Sequence, residues 1–199
     1  MAVLYACSSN PGKLREFVFT AQHSVARGFD IQLLPGLAEI TPPVEDGSTY
    51  EENASIKAFY YSTFSDGIVF ADDSGLEVDA LNGAPGIHSA RFAGPHADGT
   101  QNNALLLTRL AGVSQRGARF VTAISLARQG KVLQTTVGTA EGEILVTPRG
   151  SLGFGYDALF LYPPLNKTFA ELEDAEKFAV SARGQAFRQL LDWLAGRAL

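Results

Sequence analysis

Two adjacent carboxylates, Asp72 and Asp73, follow the apolar run Gly67-Ile68-Val69-Phe70-Ala71 and precede Ser74-Gly75. A buried strand reads this way where it reaches the end of a sheet. In open α/β sheets the ligand crevice lies beyond the carboxyl ends of strands. Successive strand side chains alternate, so one carboxylate is expected to face the crevice while the other braces a turn. A crevice-facing carboxylate can orient and deprotonate a water molecule and hold a metal ion. The plain alternative is an Asx-type turn without chemistry, since Asp, Ser and Gly are ordinary turn formers.

Cations that could serve such a centre are few. Lysine is scarce, which draws attention to Lys13, Lys57, Lys167 and Lys177. Lys13 ends the loop Ser8-Ser9-Asn10-Pro11-Gly12-Lys13, which leaves a short strand over Ala2–Cys7 and enters a helix. Asn10 suits the N-cap and Pro11 the first helical position. A strand, a polar loop and a helix N-terminus together favour an anion, through free amides and the helix dipole. The loop is not a Walker A motif: its first glycine is missing, and Leu14 stands where Ser or Thr would hold magnesium. Lys57 lies four residues after Asn53 on a helix that Thr49-Tyr50-Glu51-Glu52 opens with capping-box spacing. A solvated surface lysine is the alternative there. Arg183 falls in the first turn of a closing helix capped by Ser181, where a cation opposes the dipole and so points to a ligand.

The elements that must position these groups alternate between strand and helix. Leu14, Phe17, Val18, Ala21 and Val25 give the first helix an apolar stripe, and Phe29–Leu34 alternates as a second strand. An irregular stretch covers Glu39–Gly47. Thr100–Leu110 reads as a helix stopped by Gly112, and Phe120–Ala127 with Val132–Thr139 reads as a hairpin. Gly153-Phe154-Gly155-Tyr156-Asp157-Ala158 matches a dinucleotide fingerprint only on paper, because no strand precedes it and Leu159-Phe160-Leu161 follows. It is either a glycine-flanked loop offering aromatic faces to a flat ligand or a bulged strand turning a corner. His23, His88 and His96 lack paired spacing for zinc, so any metal is expected on oxygen, magnesium above all.

At 199 residues and 46% hydrophobic content, the chain can bury one domain's core, with room for two lobes. A net charge of −5 speaks against a nucleic-acid binder but leaves a nucleotide substrate open. Cys7 is the sole cysteine, so no internal disulfide forms and a reducing compartment fits. Leu4-Tyr5-Ala6-Cys7 resembles a lipoprotein cleavage site with only three residues before it. No apolar run reaches transmembrane length, and a cytoplasmic protein without membrane partners is expected.

The ordered set of motifs resembles the inosine triphosphate pyrophosphatases, which hydrolyse deaminated purine nucleoside triphosphates. The matches are Ser8–Lys13, Glu52-Asn53-Ala54 with Lys57, and Ala71-Asp72-Asp73-Ser74-Gly75-Leu76. They continue with Gly83-Ala84-Pro85-Gly86, Ser89-Ala90-Arg91 and Gly153–Asp157, then Phe169-Ala170-Glu171-Leu172, Glu176-Lys177 and Ser181–Gly184. They span nearly the whole chain. The resemblance implies an α/β fold with an elongated mixed central sheet flanked by helices, two lobes around a nucleotide cleft in a single domain over 1–199, and a homodimer. It implies that Ser8, Ser9, Asn10, Pro11, Gly12, Lys13 and Lys57 hold a triphosphate. Asp73 is implied as the catalytic acceptor that also serves Mg2+, with Glu45 near the second metal carboxylate. Ser74, Phe154, Gly155, Tyr156, Asp157, Lys177, Ala182 and Arg183 are implied to contact the purine nucleotide. Two positions depart from the family pattern. Ser8-Ser9 replaces the usual Thr-Gly, and Ala182 replaces the histidine that usually precedes Arg183.

No G-x-S-x-G elbow is present and Cys7 has no evident base partner, so a covalent mechanism is disfavoured. Two rival readings stand beside this one, the first sharing the loop-and-carboxylate logic and the second, of a different class, made conceivable by Ala182. One is a Maf-type pyrophosphatase for other nucleotides, and the other is a nucleotide-binding sensor without turnover.

Overall fold

The computed structural model describes residues 2–26 and 28–197. Among the described residues seven strands form one sheet in the order β2-β1-β3-β4-β5-β6-β7. They are β1 (Ala2–Ala6), β2 (Phe29–Leu33), β3 (Ile68–Val78), β4 (Gly117–Arg128), β5 (Lys131–Ile144), β6 (Phe160–Tyr162) and β7 (Lys167–Thr168). The first three run parallel and every later neighbour is antiparallel, so the sheet is mixed. The helices are α1 (Pro11–His23), α2 (Tyr50–Tyr61), α3 (Gly99–Arg109), α4 (Asp174–Val180) and α5 (Ala182–Ala195). α1 and α5 cover one face of the sheet and α2 covers the other, giving the mixed α/β fold with flanking helices that the family resemblance implies. Among the described residues no helix is long and apolar enough to cross a membrane.

Period-two alternation on β3 sets up the site. Phe70, Asp72, Ser74 and Leu76 share one face, with Ala71, Asp73 and Gly75 on the other. Phe70 belongs to an apolar cluster with Leu4, Phe17, Ile124, Phe187 and Leu190 beneath α1 and α5. Leu76 belongs to a second cluster with Leu106, Phe160 and Phe169. Each fully buried Phe or Leu contributes ~1.5–3 kcal/mol. Between the two clusters, Asp72, Ser74 and Thr122 form a polar seam across β3 and β4. The cleft opens there, because polar side chains at that point must find partners or ligand.

The structure corrects several expectations. Asp72-Asp73-Ser74-Gly75 is no turn and does not end its strand: β3 continues to Val78, paired with β4 from Val69↔Ala127 to Val78↔Ala118. The antiparallel ladder satisfies the backbone of these turn-forming residues, and the partly buried Lys13 and Lys57 with the buried Arg183 satisfy their side chains, so tertiary context overrides local preference. Val25 lies outside α1, which ends at His23, and is 96% exposed. The capping box at Thr49 is half formed. Thr49 Oγ1 accepts from the Glu52 amide at 3.1 Å, but the Glu52 carboxylate reaches Ser48 instead of the Thr49 amide. The hairpin strands also run longer than their apolar cores suggested, to Ile144 on β5.

Candidate active site

The first loop leaves β1 beside β3, where the Cys7 amide donates to the Phe70 carbonyl at 2.9 Å. Asn10 caps α1 as expected, its Oδ1 accepting from the Gly12 and Lys13 amides at 2.9 and 3.3 Å. Those two amides are therefore engaged by the cap, and Lys13 carries the loop's positive charge. Burial pushes the Cys7 thiol up to about 12, which removes it as a nucleophile near neutral pH.

Each of the two strand carboxylates holds one lysine, on opposite faces of β3. On the α1 face, Lys13 Nζ lies 2.9 Å from Asp72 Oδ2 and the Arg183 Nε lies 3.3 Å from the same oxygen. Ser74 Oγ donates to Asp72 at 3.0 Å and accepts from Arg183 Nη2 at 3.1 Å. Arg183 Nη1 also donates to Glu16 Oε2 at 2.6 Å, and Ser181 Oγ donates to the other Glu16 oxygen. Burial alone would raise the Asp72 pKa; Lys13, Arg183 and Lys57 overturn that and hold its carboxyl well below the usual carboxylate range.

On the α2 face, Lys57 Nζ bridges Asp73 Oδ1 at 3.0 Å and Glu45 Oε2 at 2.7 Å, while Asn53 Nδ2 lies 3.4 Å from Asp73 Oδ2. Burial raises the Asp73 pKa, Lys57 pulls against it, and the like charges of Glu45 and Asp72 add to the rise. Lys57 is thus no free surface lysine. Burial works against its charge, but Asp73, Asp72 and Glu45 outweigh that and raise its pKa. Gly75 follows on this face because a Cβ there would meet the Gly86 carbonyl oxygen, Tyr50 Oη and Ser89 Oγ.

A cavity of about 390 Å³ opens along the polar seam. Phe154, Lys177 and Arg183 line it, with Asn10 and Lys13 from the start of α1 and Thr122 from β4. Its size suits a small organic ligand. The Gly153–Asp157 segment is a loop and not a strand corner. Phe154 is 38% exposed and stands over the cations, its ring centroid 4.9 Å from Lys177 Nζ and 5.8 Å from the Arg183 guanidinium carbon. Asp157 accepts from Lys177 Nζ at 2.5 Å and from the Phe154 amide at 2.8 Å. Burial pushes the Asp157 carboxyl up, against the opposing pull of Lys177. Tyr156 is buried, and its hydroxyl donates to the Ser89 carbonyl at 2.8 Å, so its ring braces the wall.

A family model described as the Ham1 family matches residues 4–193. The chain belongs to the Ham1 family. A dITP/XTP pyrophosphatase of Exiguobacterium sp. is 48% identical over 187 residues, covering 94% of each chain. One from Acidobacterium capsulatum is 47% identical over 202 residues, covering 97% of this chain and 98% of its own. The solved structure of a HAM1 protein from Coxiella burnetii aligns with a TM-score of 0.86 at 36% identity, covering 99% of this chain and 100% of that one.

Within this Ham1 fold the expected site residues divide between two places. Asn10, Lys13, Ser74, Phe154, Gly155, Tyr156, Asp157, Lys177, Ala182 and Arg183 border the cavity, Ala182 with only a methyl group. Asp73, Lys57 and Glu45 gather on the opposite side of β3, and Ser8 and Ser9 on the first loop, with Pro11 and Gly12 at the start of α1, lie outside the cavity wall. Sequence reading missed Glu16, which is 1% exposed and anchors Arg183. Its only sequence signal is a carboxylate one turn after Lys13 and next to the buried Phe17, a place where a solvated residue is unexpected.

Among the described residues no three His, Cys, Asp or Glu side chains converge to hold a metal. Asp73 and Glu45 do meet on one ammonium, and two carboxylates with remaining positions left to water and phosphate oxygens are what magnesium takes. The donor set fits that ion.

Proposed function

We propose that this protein hydrolyses deaminated purine nucleoside triphosphates, inosine, deoxyinosine and xanthosine triphosphate, to the monophosphate and pyrophosphate. The observation that carries the reading is the pair of opposed contacts on one strand, Lys13 on Asp72 and Lys57 on Asp73, beside a cavity whose cations lie under Phe154. The names of the relatives, dITP/XTP pyrophosphatases at 48% and 47% identity, support the deoxyinosine and xanthosine triphosphates among these substrates. The whole chain acts as one domain with two lobes. The cytoplasm is its compartment, in keeping with one buried thiol, and a homodimer its form.

In this reading the base enters the cavity against Phe154, and Lys177 and Arg183 donate to its 6-oxo group, which accepts. Ser74, Gly155, Tyr156, Asp157 and Ala182 shape the same wall. Ser8 to Lys13, with Lys57, take the triphosphate. Asp73 accepts a proton from the water that attacks the α-phosphorus, and its raised pKa brings it nearer the pH at which a general base works best. Magnesium held by Asp73 and Glu45 would neutralise charge building on the leaving pyrophosphate. No covalent intermediate is needed.

The test is pyrophosphate release from inosine, deoxyinosine, xanthosine, adenosine and guanosine triphosphates, with and without magnesium. Magnesium-dependent release from the deaminated purines above the rest supports the reading. Binding without release would make the protein a sensor instead, and preference for other nucleotides would favour the Maf-type activity.

Two variants probe the assignment of parts. Lys13→Ala is expected to weaken triphosphate binding far more than monophosphate binding in a titration, because its charge serves the phosphates and not the base. Equal losses would remove it from that role. Ala182→His is expected to sharpen discrimination of inosine from adenosine triphosphate, since a further donor, beyond Lys177 and Arg183, would face adenine's 6-amino donor. One mismatched buried polar group costs ~1–3 kcal/mol, roughly five- to 150-fold in the ratio of kcat/KM. An unchanged ratio means position 182 does not read the base.

A further inference from the structure

Two adjacent asparagines on α3 reach two different walls of the cavity. Asn102 is buried and staples the end of the short helical turn Gly86–Arg91 to the segment that follows it, its Oδ1 accepting from the Ala93 amide at 2.8 Å and its Nδ2 donating to the Ala90 carbonyl at 3.1 Å. Asn103 is turned away from it by the helical period and donates from Nδ2 to the Gly155 carbonyl at 3.0 Å. A capping box between Asp98 and Gln101 fixes the start of α3, and with it the place of both side chains.

The carbonyl that Asn103 holds belongs to a segment with little stiffness of its own. Gly153 and Gly155 flank Phe154 at φ of 73° and 60°, and glycine loses more conformational freedom on ordering than any other residue. Asp157 ties one end of the segment through the Phe154 amide at 2.8 Å, and Asn103 ties the other through Gly155. The orientation of the Asn103 amide follows from chemistry: a carbonyl only accepts, so the nitrogen must face it. Its Oδ1 is then left buried without a hydrogen-bond partner. A buried unpaired acceptor is unfavourable. A side chain there for packing alone would be better apolar, so the nitrogen's bond is what the position provides.

We propose that Asn103 is a positioning residue, which holds Phe154 in place against the base through Gly155 and does not touch the nucleotide. The proposal rests on the pyrophosphatase reading with Phe154 as the stacking face. The ring's place also shapes the cavity on its other side. It lies against Gly12, where a Cβ would come within 2.9 Å of it. Loosening the Gly155 end therefore frees the ring from both the cations and the first loop.

The test is a double-mutant cycle in steady-state hydrolysis of inosine triphosphate, with Asn103→Asp and Asn103→Ala each combined with Phe154→Ala. Aspartate keeps the shape and sets an acceptor against the carbonyl, while alanine removes the bond in a residue that suits a helix. Each single Asn103 variant should raise KM about three- to tenfold, the worth of one hydrogen bond, with kcat within about twofold. On the Phe154→Ala background the same change should move KM by less than about twofold, because the residue acts through the ring. Additive effects, a wild-type KM in both variants, or a loss confined to kcat would overturn the proposal. Amide exchange of residues 153–157 in the unliganded protein gives a readout independent of turnover. It should quicken in Asn103→Asp while β3 and β4 stay protected, and unchanged exchange also overturns the proposal. A wild-type protein that released no pyrophosphate would count against the functional reading, with exchange still deciding whether Asn103 holds the loop.

Discussion

Asp73→Asn should leave a folded protein whose turnover falls ~10²–10⁴-fold, with nucleotide still bound. Asparagine keeps the shape of the side chain and a contact to Lys57, which retains Glu45 at 2.7 Å, so the α2 face keeps its ion pair. What is lost is a basic oxygen. Asp73 is the carboxylate whose pKa burial raises, with Glu45 and Asp72 adding to the rise against the pull of Lys57. Its neighbour Asp72 is locked by Lys13 and Arg183 well below the ordinary range and makes a poor base. The acid that can take a proton is therefore the one on the α2 face. Pyrophosphate release and a nucleotide titration on the same variant measure the two parts. A rate above about a tenth of wild type lies outside the range for a lost general base and would sink the assignment.

Asp72→Asn should act chiefly on stability. Asp72 is 4% exposed and receives Lys13 at 2.9 Å, Arg183 at 3.3 Å and Ser74 at 3.0 Å. Removing one partner of a buried ion pair strands the others, at ~3–5 kcal/mol. Glu16 remains to neutralise Arg183, but Lys13 has no second carboxylate at contact distance among the described residues. The loss should appear in denaturant melts as a lower midpoint at unchanged slope, and as a fall in Tm on the order of 10 °C. The pH dependence has a definite sign. The folded pKa of Asp72 is depressed, so its stabilisation is present above the ordinary value of 3.8 and is lost as pH falls through the folded value below it. Asp73 is raised, so protonating it on the way down relieves the fold. Wild type should thus hold its stability to about pH 4 and then lose it, and Asp72→Asn should lack that late loss. A variant with the stability and acid profile of wild type would show that the buried net contributes nothing to folding.

Much of this protein was determined by local sequence alone. The ordered motifs, through the family they resemble, gave the fold class, while Asn10 and Pro11 opened α1 where they should and Ser181 capped α5 with Arg183 in its first turn. The opposite facing of Asp72 and Asp73 follows from the period of a strand and from nothing else. Local preference misled where long-range partners were stronger. Asp-Asp-Ser-Gly favours a turn, yet pairing with β4 across ten residues of register carries β3 straight through it. Which cation meets which carboxylate was also decided only by the tertiary structure. Glu16 and Arg183 are separated by 167 positions in the chain, and their contact depends on α1 and α5 packing side by side over Phe70. No periodicity encodes that distance. The charges were visible in the sequence, but their pKa values, and so the division of labour between Asp72 and Asp73, arise from burial and neighbours that exist only after the chain has closed on itself.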